Sequence, residues 1–179
     1  MTSRIVADAG PLIALARIDR LDLLLDIAGA VDIPEAVREE LGIGTQLPGA
    51  TLLARHIGSR KPIRCRKAPT ATSQVTRLLG AGESQAIELA VQRCATLLID
   101  ERRGRRAARQ RGIQVIGTGR ILLEAKRRGL IEAVAPVLRE LTGSGYHLSD
   151  GLVNRLLVLA DEAPRQAQGR QIHATGRVG

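Results

Sequence analysis

The sequence holds no phenylalanine and no tryptophan, and Tyr146 is its single aromatic residue. A protein that grips nucleic-acid bases by stacking needs several aromatic faces, so a stacking platform is nearly excluded. Cysteine is nearly as scarce. Cys65 and Cys94 have no CxxC spacing and no histidine beside them, and they read as reduced thiols of a cytoplasmic protein rather than as a disulfide. Long hydrophobic runs are missing too. None reaches the ~18 residues of a membrane span, and the N-terminus does not lead from charge into a long apolar run, so neither a membrane segment nor a signal peptide is expected. Lysine occurs only as Lys61, Lys67 and Lys126.

What is present is arginine and aliphatic residues. The 179 residues are 44% hydrophobic, which suits one domain with a real core. Lys and Arg together number 27 against 18 acids, a formal net charge of +9. Such a basic domain suits a polyanionic partner, most simply nucleic acid, although a solvated arginine surface accounts for the charge equally well. Without aromatic stacking, any nucleic-acid contact must rest on phosphate and groove.

Four short apolar runs read as strands: RIVA (4–7), AVDI (30–33), TLLI (96–99) and QVIG (114–117), with PIRCR (62–66) as a weaker fifth. Helical patterns separate them, and that alternation predicts an α/β domain with a parallel sheet covered on both faces. Residues 42–62 open with loop signals and hold room for a short helix. After Ala163 the chain is rich in Gln, Gly and Arg without periodicity, so 161–179 read as a disordered basic tail behind a domain of 1–160.

Acids fall at strand ends. Asp8 closes the first strand, and Asp100, followed by Glu101, closes TLLI. Open parallel sheets take ligands outside the carboxyl ends of their strands, which makes these two acids candidates for one site; a helix N-cap is the plainer use of each. Glu83 begins the helical pattern of LGAGESQAIELAVQRC. Ala86, Ile87, Ala90, Val91 and Cys94 form its predicted apolar stripe, which carries Glu83 and leaves Gln85, Glu88 and Gln92 to solvent. A first-turn acid also suits the helix dipole. In IPEAVREELG, with Pro34 at the helix start, Val37 and Leu41 mark the inner face. Glu40 then points inward and Glu39 outward.

If Asp8, Glu40, Glu83 and Asp100 converge, their mutual repulsion calls for cations. An all-oxygen set selects Mg²⁺ or Mn²⁺, ions that activate water and stabilise charge developing on a phosphodiester. An acidic metal pocket in a basic protein is the electrostatic layout of a nuclease. The run ERRGRRAARQRG (101–112) follows Asp100 directly. Gly104, Ala107 and Ala108 form its packing face, while Arg102, Arg106 and Arg109 share another, as phosphate contacts or as a solvated face. EAKRRGLI (124–131) is a weaker candidate of the same kind. Thr118 reads as a helix cap or an orienting hydroxyl, with capping the plainer role. His56, His147 and His173 have no partner spacing.

The motifs VADAGPLIALARIDRLDLL, IPEAVREEL, LGAGESQAIELA, LLIDERRGRRAARQRGIQVIGT and ILLEAKRRGLI stand in the order seen in PIN-domain proteins. Over residues 4 to 160 the chain resembles their DUF3368 branch. The resemblance implies a three-layer α/β/α domain with a central parallel sheet. It also implies a Mg²⁺- or Mn²⁺-dependent endoribonuclease, as in VapC-like toxins, which pair with a small antitoxin and form homodimers. Carried over by motif, Asp8, Glu40, Glu83 and Asp100 are the catalytic, metal-holding acids, with Glu101 as a further ligand and Thr118 as an accessory residue. The chain departs from the pattern at Ala9 and Gly10, where similar proteins carry Ser or Thr, and at Arg120, where a small residue is usual.

A second reading is a PIN fold that binds RNA or a protein without catalysis, which the missing hydroxyl favours and the four acids oppose. A receiver domain would need a late lysine that QVIGTGR does not offer. A dehalogenase-type phosphatase would need Asp-x-Asp where DAGP stands.

Overall fold

The computed structural model describes residues 4–42, 53–54, 63–70 and 79–162. Most of the 42–62 stretch, His56, Lys61, His173 and the tail from 163 lie outside the described residues. Five parallel strands form one sheet: β1 (Ile5–Ala7), β2 (Val31–Pro34), β3 (Ile63–Arg66), β4 (Thr96–Leu98) and β5 (Val115–Ile116), in the order β3-β2-β1-β4-β5. All five predicted runs are strands, the weak one included. The three residues of β1 and the three of β4 are buried throughout. Strands covered on both faces have no polar alternation, which is why they read as continuous apolar runs.

The helices are α1 (Ala9–Arg17), α2 (Leu21–Ala28), α3 (Glu35–Glu40), α4 (Ala81–Arg93), α5 (Arg102–Gln110), α6 (Thr118–Arg127), α7 (Val134–Gly143) and α8 (Asp150–Leu159). From β1 the chain passes through α1 and α2 to β2 on one side. From β3 it crosses back by α4 to β4, then by α5 to β5 on the other. Right-handed crossovers in opposite directions place their helices on opposite faces. The packing agrees: α1, α2, α6, α7 and α8 contact one another, and α4 packs on α3 and α5. The result is the three-layer α/β/α architecture.

Val6, Leu12, Leu15, Leu24, Ile33, Ile87, Leu97 and Leu98 are fully enclosed in the core between these layers. The close of the fold is polar. Glu162 accepts from the backbone N–H of Val134 at 2.7 Å and of Ala135 at 2.8 Å, and pairs with Lys126 Nζ at 2.8 Å, which ties the end of α8 to the start of α7.

One helix departs from its predicted face. Glu88, expected in solvent, is 6% exposed, whereas Val91 and Cys94 of the expected apolar stripe are exposed. Arg111 explains the buried acid: its guanidinium donates to both Glu88 oxygens, at 2.8 and 3.3 Å. A bidentate arginine lets a carboxylate turn inward.

Candidate functional site

The sheet itself brings Asp8 and Asp100 to one edge. β1 and β4 are neighbours, with Ala7 paired to Leu98. The Asp8 amide donates to the Leu98 carbonyl at 3.0 Å. The strand order reverses between β1 and β4, and that switch point is where open α/β sheets take ligands.

Asp8 stands in the N-cap position of α1 with extended backbone (φ −80°, ψ 165°), yet its side chain makes no capping hydrogen bond. It is 7% exposed, and Oδ1 is buried without a partner. Burial raises its pKa to about 6; the charges of Glu83 and Glu40 push the same way, and the amides of Ala9 and Gly10 offset part of the rise. A simple helix cap would show the opposite behaviour, a satisfied carboxylate held low.

Glu83 lies in the first turn of α4. Its Oε2 accepts from the Gly80 amide at 3.2 Å, while Oε1 is buried without a partner. Burial raises this carboxyl above its ordinary value; Glu101 and Glu40 add to the rise, and the Gly80 amide and Arg103 counter it. Glu40, the last residue of α3, accepts from the Gly82 amide at 3.0 Å. A Cβ on Gly82 would come within 2.5 Å of Glu40 Oε1, so the glycine leaves room for this carboxylate. Gly104 does the same service from α5: a Cβ would meet Ile99 Cδ1 at 2.4 Å and Glu83 Oε1 at 3.0 Å.

Asp100 is the most heavily bonded of the four. Oδ1 accepts from the Thr118 amide at 3.0 Å, and Oδ2 accepts from the Thr118 hydroxyl at 2.6 Å and the Tyr146 hydroxyl at 2.5 Å. Thr118 is thus not a cap of its own helix, whose N-cap is Gly117. Its hydroxyl orients Asp100 instead.

The helix-end explanation therefore holds in part. Glu40, Glu83 and Asp100 each accept a backbone N–H at the start of a helix, where negative charge is favoured. Asp8 does not. The charges of Glu83 and Glu40 act on Asp8, and those of Asp100 and Asp8 act on the Tyr146 phenol. Among the described residues, no three His, Cys, Asp or Glu side chains are gathered into a ready-made metal cage. Glu101 is exposed, and its charge adds to the rise of the Glu83 carboxyl. Arg102, Arg106 and Arg109 are exposed along α5, and His147 is exposed.

Two residues of the site have no counterpart in the sequence reading. Tyr146 comes from the segment after α7, 46 positions from Asp100, and no spacing rule links them. Arg105 is half-buried and donates to the Ile99 carbonyl at 2.8 Å. A Cβ on Gly117 would lie 2.6 Å from Asp100 Oδ1 and 2.8 Å from Arg105 Nη1, so the two side chains wall the same spot. Here the helical angle was a usable signal, because position 105 flanks the buried Gly104 and Ala108.

The donor chemistry fits a hard divalent cation. Two buried carboxylate oxygens, Asp8 Oδ1 and Glu83 Oε1, lack partners, and a buried anion left without one is costly. Oxygen donors without thiol or imidazole suit Mg²⁺ or Mn²⁺.

The family model for DUF3368, a PIN domain, matches residues 4–162. No curated protein matches the chain. Among solved structures it is similar to a PilT N-terminus domain protein from the hyperthermophilic archaeon Sulfolobus solfataricus P2. That likeness has 16% identity and a TM-score of 0.43, and covers 81% of this chain and 96% of that one.

Proposed function

The chain belongs to the DUF3368 family of PIN domains, a group whose members are generally nucleases, and on that footing we propose that it is a Mg²⁺- or Mn²⁺-dependent endoribonuclease. The observation that carries the reading is the pair of orphaned buried oxygens, Asp8 Oδ1 and Glu83 Oε1, at the switch point of the sheet.

In this reading Asp8 and Glu83 hold the cation, and Glu40 and Asp100 complete the negative field around it. A divalent ion bound there supplies Lewis acidity to the phosphodiester and to the attacking water. The chain's own groups do the positioning. Thr118 and Tyr146 fix the Asp100 carboxylate through three hydrogen bonds. The Gly82 amide fixes Glu40, and the Gly80 amide leaves one Glu83 oxygen free to face the site. Arg102, Arg106 and Arg109 offer guanidinium forks to phosphates flanking the scissile one. The wider assignment is proposed with it: the toxin of a toxin–antitoxin pair, a homodimer, cytoplasmic, with a small antitoxin protein as partner.

The test is incubation of a mixed RNA pool with Mn²⁺ and purified wild type or Asp8→Asn. Wild type should cleave and the variant should not, with unchanged circular dichroism; equal cleavage by both refutes the assignment. A single-stranded DNA arm decides the sugar specificity. A non-catalytic RNA-binding module is the competing reading, favoured by Gly10, which offers no hydroxyl to Asp8. It predicts RNA binding without cleavage in either protein.

A further inference from the structure

The start of β1 and the outer edge strand β3 carry a second concentration of arginine that the acidic site does not use. Three adjoining clefts there share Arg4, which precedes β1. Around it stand Arg64 and Arg66 of β3, Lys67, Arg93 at the end of α4, and Arg111 just past α5. The acids close by are spoken for. Asp32 pairs with Arg66 at 3.1 Å and Arg93 at 2.8 Å, and Glu88 pairs with Arg111.

Those ion pairs and the helix C-termini account for Arg66, Arg93 and Arg111. They do not account for Arg4, Arg64 and Lys67, which are exposed and have no ion pair among the described residues. Among the described residues no carboxylate neutralises these three, so the rim carries positive charge that an anion can meet.

The two regions are joined by α5. It starts beside Asp100 and runs nine residues, about 13 Å, to its C-cap Arg111 on the basic rim. Arg102, Arg103, Arg106 and Arg109 are exposed along its length. Exposed guanidinium groups therefore lie along α5 from beside Asp100 towards Arg111, which lines one cleft with Arg4.

We propose that this rim is a second contact region for the substrate: an RNA strand held at the acidic edge follows α5 and lays its flanking phosphates on Arg4, Arg64 and Lys67. The inference rests on the nuclease reading for its direction. An acidic polypeptide is the alternative occupant. The arginines along α5 favour a strand that reaches both regions, and the guanidinium fork matches phosphate geometry.

The experiment measures binding without cleavage, so its outcome is separate from that of the Asp8→Asn test. Fluorescent single-stranded RNAs of 5 and 20 nucleotides are titrated with full-length protein in EDTA across a salt series. For wild type, the 20-mer should bind more than tenfold tighter than the 5-mer. The Arg4→Gln/Arg64→Gln/Lys67→Gln variant should lose most of that advantage. Its dependence of log affinity on log salt should be shallower by about 2, at ~0.7 per phosphate contact on a single strand. Equal affinity of wild type for both lengths, an unchanged salt slope in the variant, or tight binding of polyglutamate in place of RNA each overturns the proposal. If the triple variant melts early, Arg64→Gln/Lys67→Gln on the exposed strand β3 is used, with an expected change in slope of about 1.4.

Discussion

Tyr146 donates its hydroxyl to Asp100 Oδ2 at 2.5 Å, on the same oxygen that receives the Thr118 hydroxyl. The sole aromatic residue of the chain is thus committed to holding one carboxylate. Burial and the neighbouring Asp100 charge keep its phenol protonated well above the ordinary range, so the donor persists at any working pH. Because Oδ2 has two donors, losing one leaves it satisfied. Tyr146→Phe and Thr118→Val should each cost about 1 kcal/mol, and the double variant about 3 kcal/mol, more than the sum. Thermal or urea unfolding of the four proteins measures the coupling; strict additivity would refute shared support of Asp100.

Asp8 makes the protein sensitive to pH. Its folded pKa of about 6 lies above the unfolded value of 3.8. The folded state therefore binds the extra proton, and the stability Asp8 contributes is full below pH 3.8 and lost as pH rises through about 6. The whole effect is at most about 3 kcal/mol. Asp8→Asn should raise the metal-free melting temperature at pH 8 and leave it nearly unchanged at pH 4. In wild type, added Mn²⁺ should recover part of the difference at pH 8. A variant no more stable than wild type at pH 8 would contradict an ionised Asp8 whose Oδ1 lacks a partner.

Gly10 invites the reverse experiment. A Cβ there would sit 3.9 Å from Asp8 Oδ2, an ordinary contact. Gly10→Ser therefore fits, and its hydroxyl can donate to the carboxylate. The substitution should stabilise α1 by a few tenths of a kcal/mol and move the Asp8 titration below 6. The pH dependence of melting reports both, and an unshifted titration would show that the hydroxyl does not reach Asp8.

Gly82→Ala separates Glu40 from stability. The new Cβ would press on the flexible Glu40 carboxylate rather than on backbone. Loss of the Gly82–Glu40 hydrogen bond, about 1 kcal/mol, roughly offsets the gain of Ala over Gly in the helix. The expected result is a melting temperature within 3 °C of wild type and Mn²⁺-dependent cleavage reduced at least tenfold. Unchanged cleavage would remove Glu40 from the site.

The strands and the four acids were legible because their signals are local. A doubly covered strand is a short apolar run, and an acid at its end or in a helix's first turn is visible at once. Glu88 shows the limit. Its burial depends on Arg111, 23 positions away, and no helical period contains that partner.

By itself the sequence determined the α/β alternation, the lack of aromatic stacking and the carboxyl-end position of Asp8 and Asp100, since each follows from residue type and short-range spacing. Only the tertiary structure decided which groups meet. The β3-β2-β1-β4-β5 order puts Asp8 beside Asp100. Packing of α3 on α4 ties Glu40 to Gly82, and the segment after α7 delivers Tyr146 to Asp100. Such contacts join residues tens of positions apart, and their partners are selected by how the layers pack, which periodicity along the chain does not encode.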